Sequence, residues 1–181
     1  KTTLLAALMQ NQGKIVAIYH KMFLPNYGVF DENRYFRTGA APLNIVLGDI
    51  KIGIGICEDI WHPEGPAQLQ AIAGAEVIIN INASPYHMGK VKLREKMLID
   101  RAIDNGVIVV YNNMVGGQDE LIFDGQSMII DKKGEIIAKG KAFEEDLIVS
   151  DLTLHNSKKL KKRLIFAKEC PIYQFENIKV I

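Results

Sequence analysis

Short apolar runs alternate with polar punctuation along most of this chain. Runs rich in Ile and Val, bounded by Gly, Pro, Asn or Asp, fall at Ile15–His20, Leu43–Leu47, Lys51–Ile56, Glu76–Asn82, Val107–Asn112, Gln126–Asp131 and Leu147–Asp151. Their length and β-branched content predict buried strands. Helical spacing predicts two helices, one from Pro66 to Gly74 with Pro in its first turn and one from Lys90 to Asn105 closed by Gly106. Asp131-Lys-Lys-Gly134 predicts a hairpin joining Met128–Ile130 to Glu135–Ala138, with Gly134 as its natural positive-φ residue. The opening run Thr2 to Met9 is readable as helix or as an edge strand. Helix and strand alternate in the middle and hairpins follow, which predicts a layered α/β domain with mixed sheets.

Composition narrows the function classes. The chain has 181 residues, 48% of them hydrophobic and 24% charged, enough for one domain with a substantial core. A net charge of +1 does not suggest nucleic acid or another polyanion as the main partner, and none is expected. Two cysteines far apart, Cys57 and Cys170, form no Cys-x-x-Cys and fit a reducing compartment, so the cytoplasm is the expected location. The apolar runs are strand-sized and the N-terminus lacks the order of a signal peptide, so neither membrane nor export is expected. Beginning at Lys1, the chain reads as a piece of something longer. Ser157–Lys168 carries a run of basic residues, readable as a solvated helix or linker or as a contact with a neighbouring domain.

The strongest local signal is Lys51-Ile-Gly-Ile-Gly-Ile-Cys-Glu-Asp-Ile-Trp61. A Cys at the end of a strand, just before the chain turns, is presented as a nucleophile elbow requires. Gly53 and Gly55 permit close approach of neighbouring backbone, and the Glu58 N–H is placed to help form an oxyanion hole. The Gly-x-Gly is not a dinucleotide fingerprint, because its sixth position is Glu58. Cys57 is equally readable as a small buried hydrophobe, and Cys170, before Pro171, as a structural one. A reactive thiol needs a base and nearby positive charge. His62 or His87 could form a Cys/His pair; Cys57, Glu58, Asp59 and His62 could be imagined as metal ligands, although no usual zinc spacing matches. The third candidate is Lys21, at the end of the strand Ile15–His20, whose ammonium would stabilise the thiolate and then an oxyanion.

Four ordered segments, Tyr19-His-Lys-Met-Phe-Leu-Pro-Asn-Tyr-Gly-Val-Phe-Asp-Glu32, Gly55-Ile-Cys-Glu-Asp-Ile-Trp61, Asn82-Ala-Ser-Pro-Tyr-His-Met-Gly-Lys90 and Gly116-Gly-Gln-Asp-Glu-Leu-Ile-Phe-Asp-Gly-Gln-Ser127, closely resemble the glutaminase domain of glutamine-dependent NAD synthetases. That domain is a branch of the nitrilase, or carbon-nitrogen hydrolase, superfamily. The resemblance implies an α-β-β-α sandwich with mixed sheets over residues 1–152, N-terminally incomplete, with 153–181 beginning an interdomain region. It also implies a Glu/Lys/Cys triad in which Cys57 is the nucleophile and Lys21 the lysine. The family's Glu lies in a Pro-Glu motif upstream of Lys1, so this chain alone is expected to lack its general base. Glu32 and Glu58 do not match it, though either could orient Lys21 or Cys57.

The resemblance further implies that Tyr27, Ser84 and Lys90 hold glutamine, which would be hydrolysed through a Cys thioester to glutamate and ammonia. Lys90 opens a helix, where the dipole disfavours a cation, and an anionic ligand would compensate it. The expected partners are glutamine, an ATP- and Mg-dependent synthetase domain outside this chain that amidates nicotinic acid adenine dinucleotide, and further copies in a homo-oligomer. The glutaminase part is expected to need no cofactor or metal. The alternatives are another amidase of the superfamily and an inactive fragment or scaffold.

Overall fold

The computed structural model describes residues 3–154 and a short strand at 172–174. The basic run Ser157–Lys168, Cys170 and most of the expected interdomain region lie outside the described residues. The first strands, β1 (Ala6–Asn11) and β2 (Lys14–His20), form an antiparallel hairpin. Gln12 and Gly13 turn it with φ of +49° and +75°, the left-handed pair that matches strand twist. From Ala6 onward the opening run is therefore a strand, and Gln-Gly is too weak a turn signal to have announced the hairpin. A four-residue helix, α1 (Glu32–Tyr35), follows, then β3 (Leu43–Leu47) and β4 (Ile50–Ile56).

Beyond β4, Cys57–Ile60 forms a one-turn 3-10 helix, followed by α2 (Pro66–Ile72), β5 (Val77–Asn82), α3 (Lys90–Asn105) and β6 (Ile108–Asn113). Gly106, at φ +63°, ends α3 in the left-handed conformation. The hairpin β7 (Val115–Gln118) and β8 (Leu121–Asp124) comes next, then β9 (Met128–Ile130), β10 (Ile136–Lys139) and β11 (Ile172–Gln174). The seven-stranded sheet has the order β10-β9-β6-β5-β4-β3-β11. Its centre, β4-β5-β6, is parallel, and β3 and β9 flank it antiparallel, so the sheet is mixed as the alternation of elements implies.

The two faces of this sheet bury different partners. Ile78, Val109 and Ile130 pack with Ala67, Ala71, Leu98 and Ala102 of α2 and α3. Ile52, Ile54, Val77 and Ile108 pack with Ala7, Ala17 and Tyr19 of the β1–β2 hairpin. Each fully buried Ile or Leu contributes roughly 1.5–3 kcal/mol. The described residues thus build a helix layer, a large sheet and a small sheet; Leu8 and Ile18 on the outer face of the small sheet are exposed.

Two predicted strands need correction. Leu147–Asp151 has strand alternation, with Leu147 and Val149 outward and exposed, but among the described residues no neighbouring strand completes its hydrogen bonds. Gln126–Asp131 shortens to Met128–Ile130 because Gly125 and Gln126 turn at φ of +61° and +53°. The Asp131–Gly134 hairpin forms, with Gly134 at φ +87° and its N–H bonded to the Asp131 carbonyl.

Candidate active site

Cys57 follows β4 directly and has φ +47°, a left-handed conformation that costs a non-glycine residue on the order of 1–3 kcal/mol. Its surroundings hold it there. The Asn80 amide donates to the Cys57 carbonyl at 3.2 Å, and Arg101 of α3 donates to the carbonyls of Ile60 and Trp61 at 3.0 and 3.1 Å. A Cβ on Gly55 would lie 2.5 Å from Asn80 Oδ1, so glycine admits that amide. Glu58 is second in the 3-10 turn, where a backbone N–H has no partner within the turn.

Lys21, just past β2, is 2% exposed. Its ammonium is paired with both carboxylate oxygens of Glu32 at 2.7 and 2.8 Å, as a buried charge requires. The buried Asp59 carboxylate binds the lysine segment to the cysteine elbow. Its Oδ1 accepts from the N–H groups of Met22 and Phe23 at 3.1 and 2.8 Å, and its Oδ2 accepts from Tyr19 Oη at 2.7 Å and the Ile56 N–H at 3.0 Å. Both oxygens are thereby occupied, which removes a ligand from the imagined metal set. Asp59 was visible in the elbow sequence, but nothing there announced partners some forty residues upstream.

Tyr27, Cys57, Glu58, Ser84 and Lys90 line one cleft that holds, with the solvent at its mouth, about 540 Å³ of empty space. Tyr27 Oη donates to Glu58 Oε2 at 2.8 Å. The structure therefore brings five of the six sequence-selected residues to one surface, and the charge of the sixth, Lys21, acts on the thiol. Burial pushes the Cys57 thiol above its ordinary pKa; Lys21 is the strongest opposing influence, while Glu58 and Glu32 push it further up. Burial, then Arg94, pushes the Lys90 ammonium below the usual lysine range. His87 lines the same cleft, whereas His62 stacks on Phe23 with ring centroids 3.8 Å apart.

A strained thiol beside a lysine charge, facing a cleft with hydroxyls and a half-desolvated ammonium, can form an acyl–sulfur bond and hold a polar substrate while it does so. Chemistry of that class breaks amide carbon–nitrogen bonds. Residues 5–162 match the carbon-nitrogen hydrolase family, and the chain belongs to it. It is 50% identical over 155 residues to the glutamine-dependent NAD(+) synthetase of Aquifex aeolicus, an alignment that covers 86% of this chain and 27% of that protein. Among solved structures, the glutamine-dependent NAD+ synthetase of Acinetobacter baumannii with ADP has a TM-score of 0.76 and 34% identity, over 84% of this chain and 32% of that one. An amidase of Nesterenkonia sp. AN1, bearing the acetamide moiety of fluoroacetamide at its active site cysteine, has a TM-score of 0.63 and 26% identity, over 71% and 47% of the two chains. The chain thus spans about a quarter to a third of the NAD synthetases it matches. Among the described residues, no helix is long and apolar enough to cross a membrane.

Proposed function

We propose that this chain forms the glutamine-hydrolysing part of a glutamine-dependent NAD synthetase. The observation that carries this reading is the single cleft holding Cys57, Glu58, Tyr27, Ser84 and Lys90 with the Lys21 charge reaching the thiol. The Cys57 thiolate attacks the side-chain amide carbon of glutamine. Lys21 and the Glu58 N–H stabilise the tetrahedral oxyanion, ammonia leaves, and water cleaves the resulting thioester to glutamate. Lys90 pairs with the α-carboxylate, the Glu58 carboxylate faces the α-ammonium, and Tyr27 and Ser84 supply hydrogen bonds to the polar end.

The carboxylate that takes the thiol proton belongs, in this reading, to part of the full-length protein outside this chain; within the chain the first Glu is Glu32, already bound to Lys21. The ATP- and Mg-dependent synthetase domain that consumes the ammonia, the homo-oligomer and the cytoplasmic location belong to the same proposal. Higher identity to the synthetases than to the amidase favours glutamine over a simpler amide. The test is glutamate release from glutamine by the full-length protein and by its Cys57→Ala variant. Release that disappears with the thiol supports the reading, and release that survives Cys57→Ala overturns it.

A further inference from the structure

Of the four sequence segments that carry the family resemblance, the last, Gly116–Ser127, has no part in the chemistry above. Its place in the fold is the back of the recognition wall. β8 is bridged to the loop that carries Ser84, through Pro85 opposite Phe123 and the Tyr86 N–H donating to the Ile122 carbonyl at 2.7 Å. Where β8 ends, the Asp124 carboxylate receives both terminal nitrogens of Arg94 at 3.0 and 3.2 Å and the Gln126 amide at 2.7 Å. Arg94 and Asp124 are both fully buried. Arg94 lies one turn after Lys90 on α3, so this ion pair fastens the start of that helix to the hairpin.

Asn113, the last residue of β6, connects this arrangement to Ser84. Its Oδ1 accepts the Ser84 N–H at 2.9 Å, and its Nδ2 donates to the Gly125 carbonyl at 2.9 Å, with longer approaches of 3.5 Å to the Ser84 carbonyl and Asp124 Oδ1. A buried ion pair is poor value as a source of stability alone, since apolar side chains of similar volume serve a core as well. What the pair and the amide do together is tie two groups of the cleft, Ser84 and Lys90, to one hairpin.

We propose that Asn113 is a positioning residue for substrate recognition, setting the place of Ser84 in the cleft, and that the β7–β8 hairpin with Asp124 is the buttress against which the recognition wall is built. This rests on the amide-hydrolase reading given above. Lys21 and the Cys57 elbow are held by Asp59, Asn80 and Arg101, with none of which Asn113 shares a hydrogen bond, so loosening Asn113 leaves the thiol in place and displaces the substrate's polar end.

The experiment compares the full-length protein with its Asn113→Ala and Asn113→Asp variants. It measures kcat and KM for glutamine, the rate of Cys57 alkylation by iodoacetamide, and thermal melting. Asn113→Ala is expected to raise KM about tenfold, the effect of losing a well-placed polar contact, with kcat within about threefold and alkylation unchanged. Asn113→Asp keeps the acceptor for the Ser84 N–H and is expected to restore most of KM even with a lowered melting temperature. Should Asn113→Ala fail to fold, Asn113→Asp, Ser84→Ala and the double variant carry the decision: KM effects that fall short of adding support the proposal, and effects that add in full overturn it. An unchanged KM, or kcat and alkylation falling together, overturns it. If the wild type hydrolyses a different small amide and leaves glutamine intact, only the glutamine reading falls, and the same comparison is made with that amide. A wild type inert toward all small amides overturns both.

Discussion

Each wall of the cleft has one joint that ties its chain segment to a distant element, and the two joints have different polar needs. Where the lysine segment meets the cysteine elbow, the groups around Asp59 are all donors, three backbone N–H groups and the Tyr19 hydroxyl, and its acceptor-only carboxylate serves all four. On the recognition wall a donor and an acceptor are left over together, the Ser84 N–H and the Gly125 carbonyl, and an amide, Asn113, serves both. The difference teaches that each buried polar residue here is chosen by the backbone groups that neighbouring elements leave unpaired. A carboxylate at 113 would keep the acceptor and forfeit the donor, whereas an amide at 59 would set a donor against donors.

That comparison is best broken by variants that load one wall at a time. The largest effect is expected for Lys21→Met on the cysteine wall: kcat for glutamine falls about 10²–10³-fold, the size of a lost oxyanion partner, with a much smaller change in KM. The same variant removes the strongest influence lowering the Cys57 pKa. The thiol pKa, already raised, therefore climbs further, and alkylation at pH 8 slows relative to wild type; a rate that rises would show that Lys21 does not face the thiol.

An intermediate effect is expected for Asp59→Asn. One carboxylate oxygen becomes an amide donor facing N–H groups, leaving at least one of them unsatisfied at a cost of about 1–3 kcal/mol. Denaturant unfolding reads that loss, and kcat is expected to fall more than KM rises, because the segments displaced carry Lys21 and Cys57. A variant with unchanged kcat and raised KM would merge the two walls into one.

The smallest effect is a pH dependence on the recognition wall. Lys90 is depressed below the lysine range, so it is a cation below that lowered pKa and neutral above it. KM for glutamine is expected to rise with pH before the ordinary lysine value is reached, as the partner of the substrate carboxylate is lost. Lys90→Arg, whose guanidinium stays charged, should flatten the rise. A profile identical in the two proteins would remove Lys90 from carboxylate recognition.

Much of the frame was legible along the chain. β4, β5, β6 and α3 follow from Ile/Val runs and from a helical segment ended by Gly106, because these elements are dictated by local periodicity and punctuation. Cys57 stood out since it interrupts an apolar run at its end. The β7–β8 hairpin did not, as Val115–Gln118 holds two glycines and a polar residue and its tip, Asp119, takes a positive φ without glycine. Leu147–Asp151 shows the converse error, since alternation describes which side chains turn inward and says nothing about whether a partner strand is present.

By itself the sequence determined the central strands, the two helical segments, the cysteine at a strand end, and through its four segments the family. Only the tertiary structure decided that Glu32 binds Lys21, that Asp59 ties β2 to the elbow, and that Asn113 and the Arg94–Asp124 pair stand behind Ser84 and Lys90. The reason is physical. Periodicity is written in neighbouring residues, whereas the partner of a buried polar group is whichever distant backbone or side chain the packed layers leave without one.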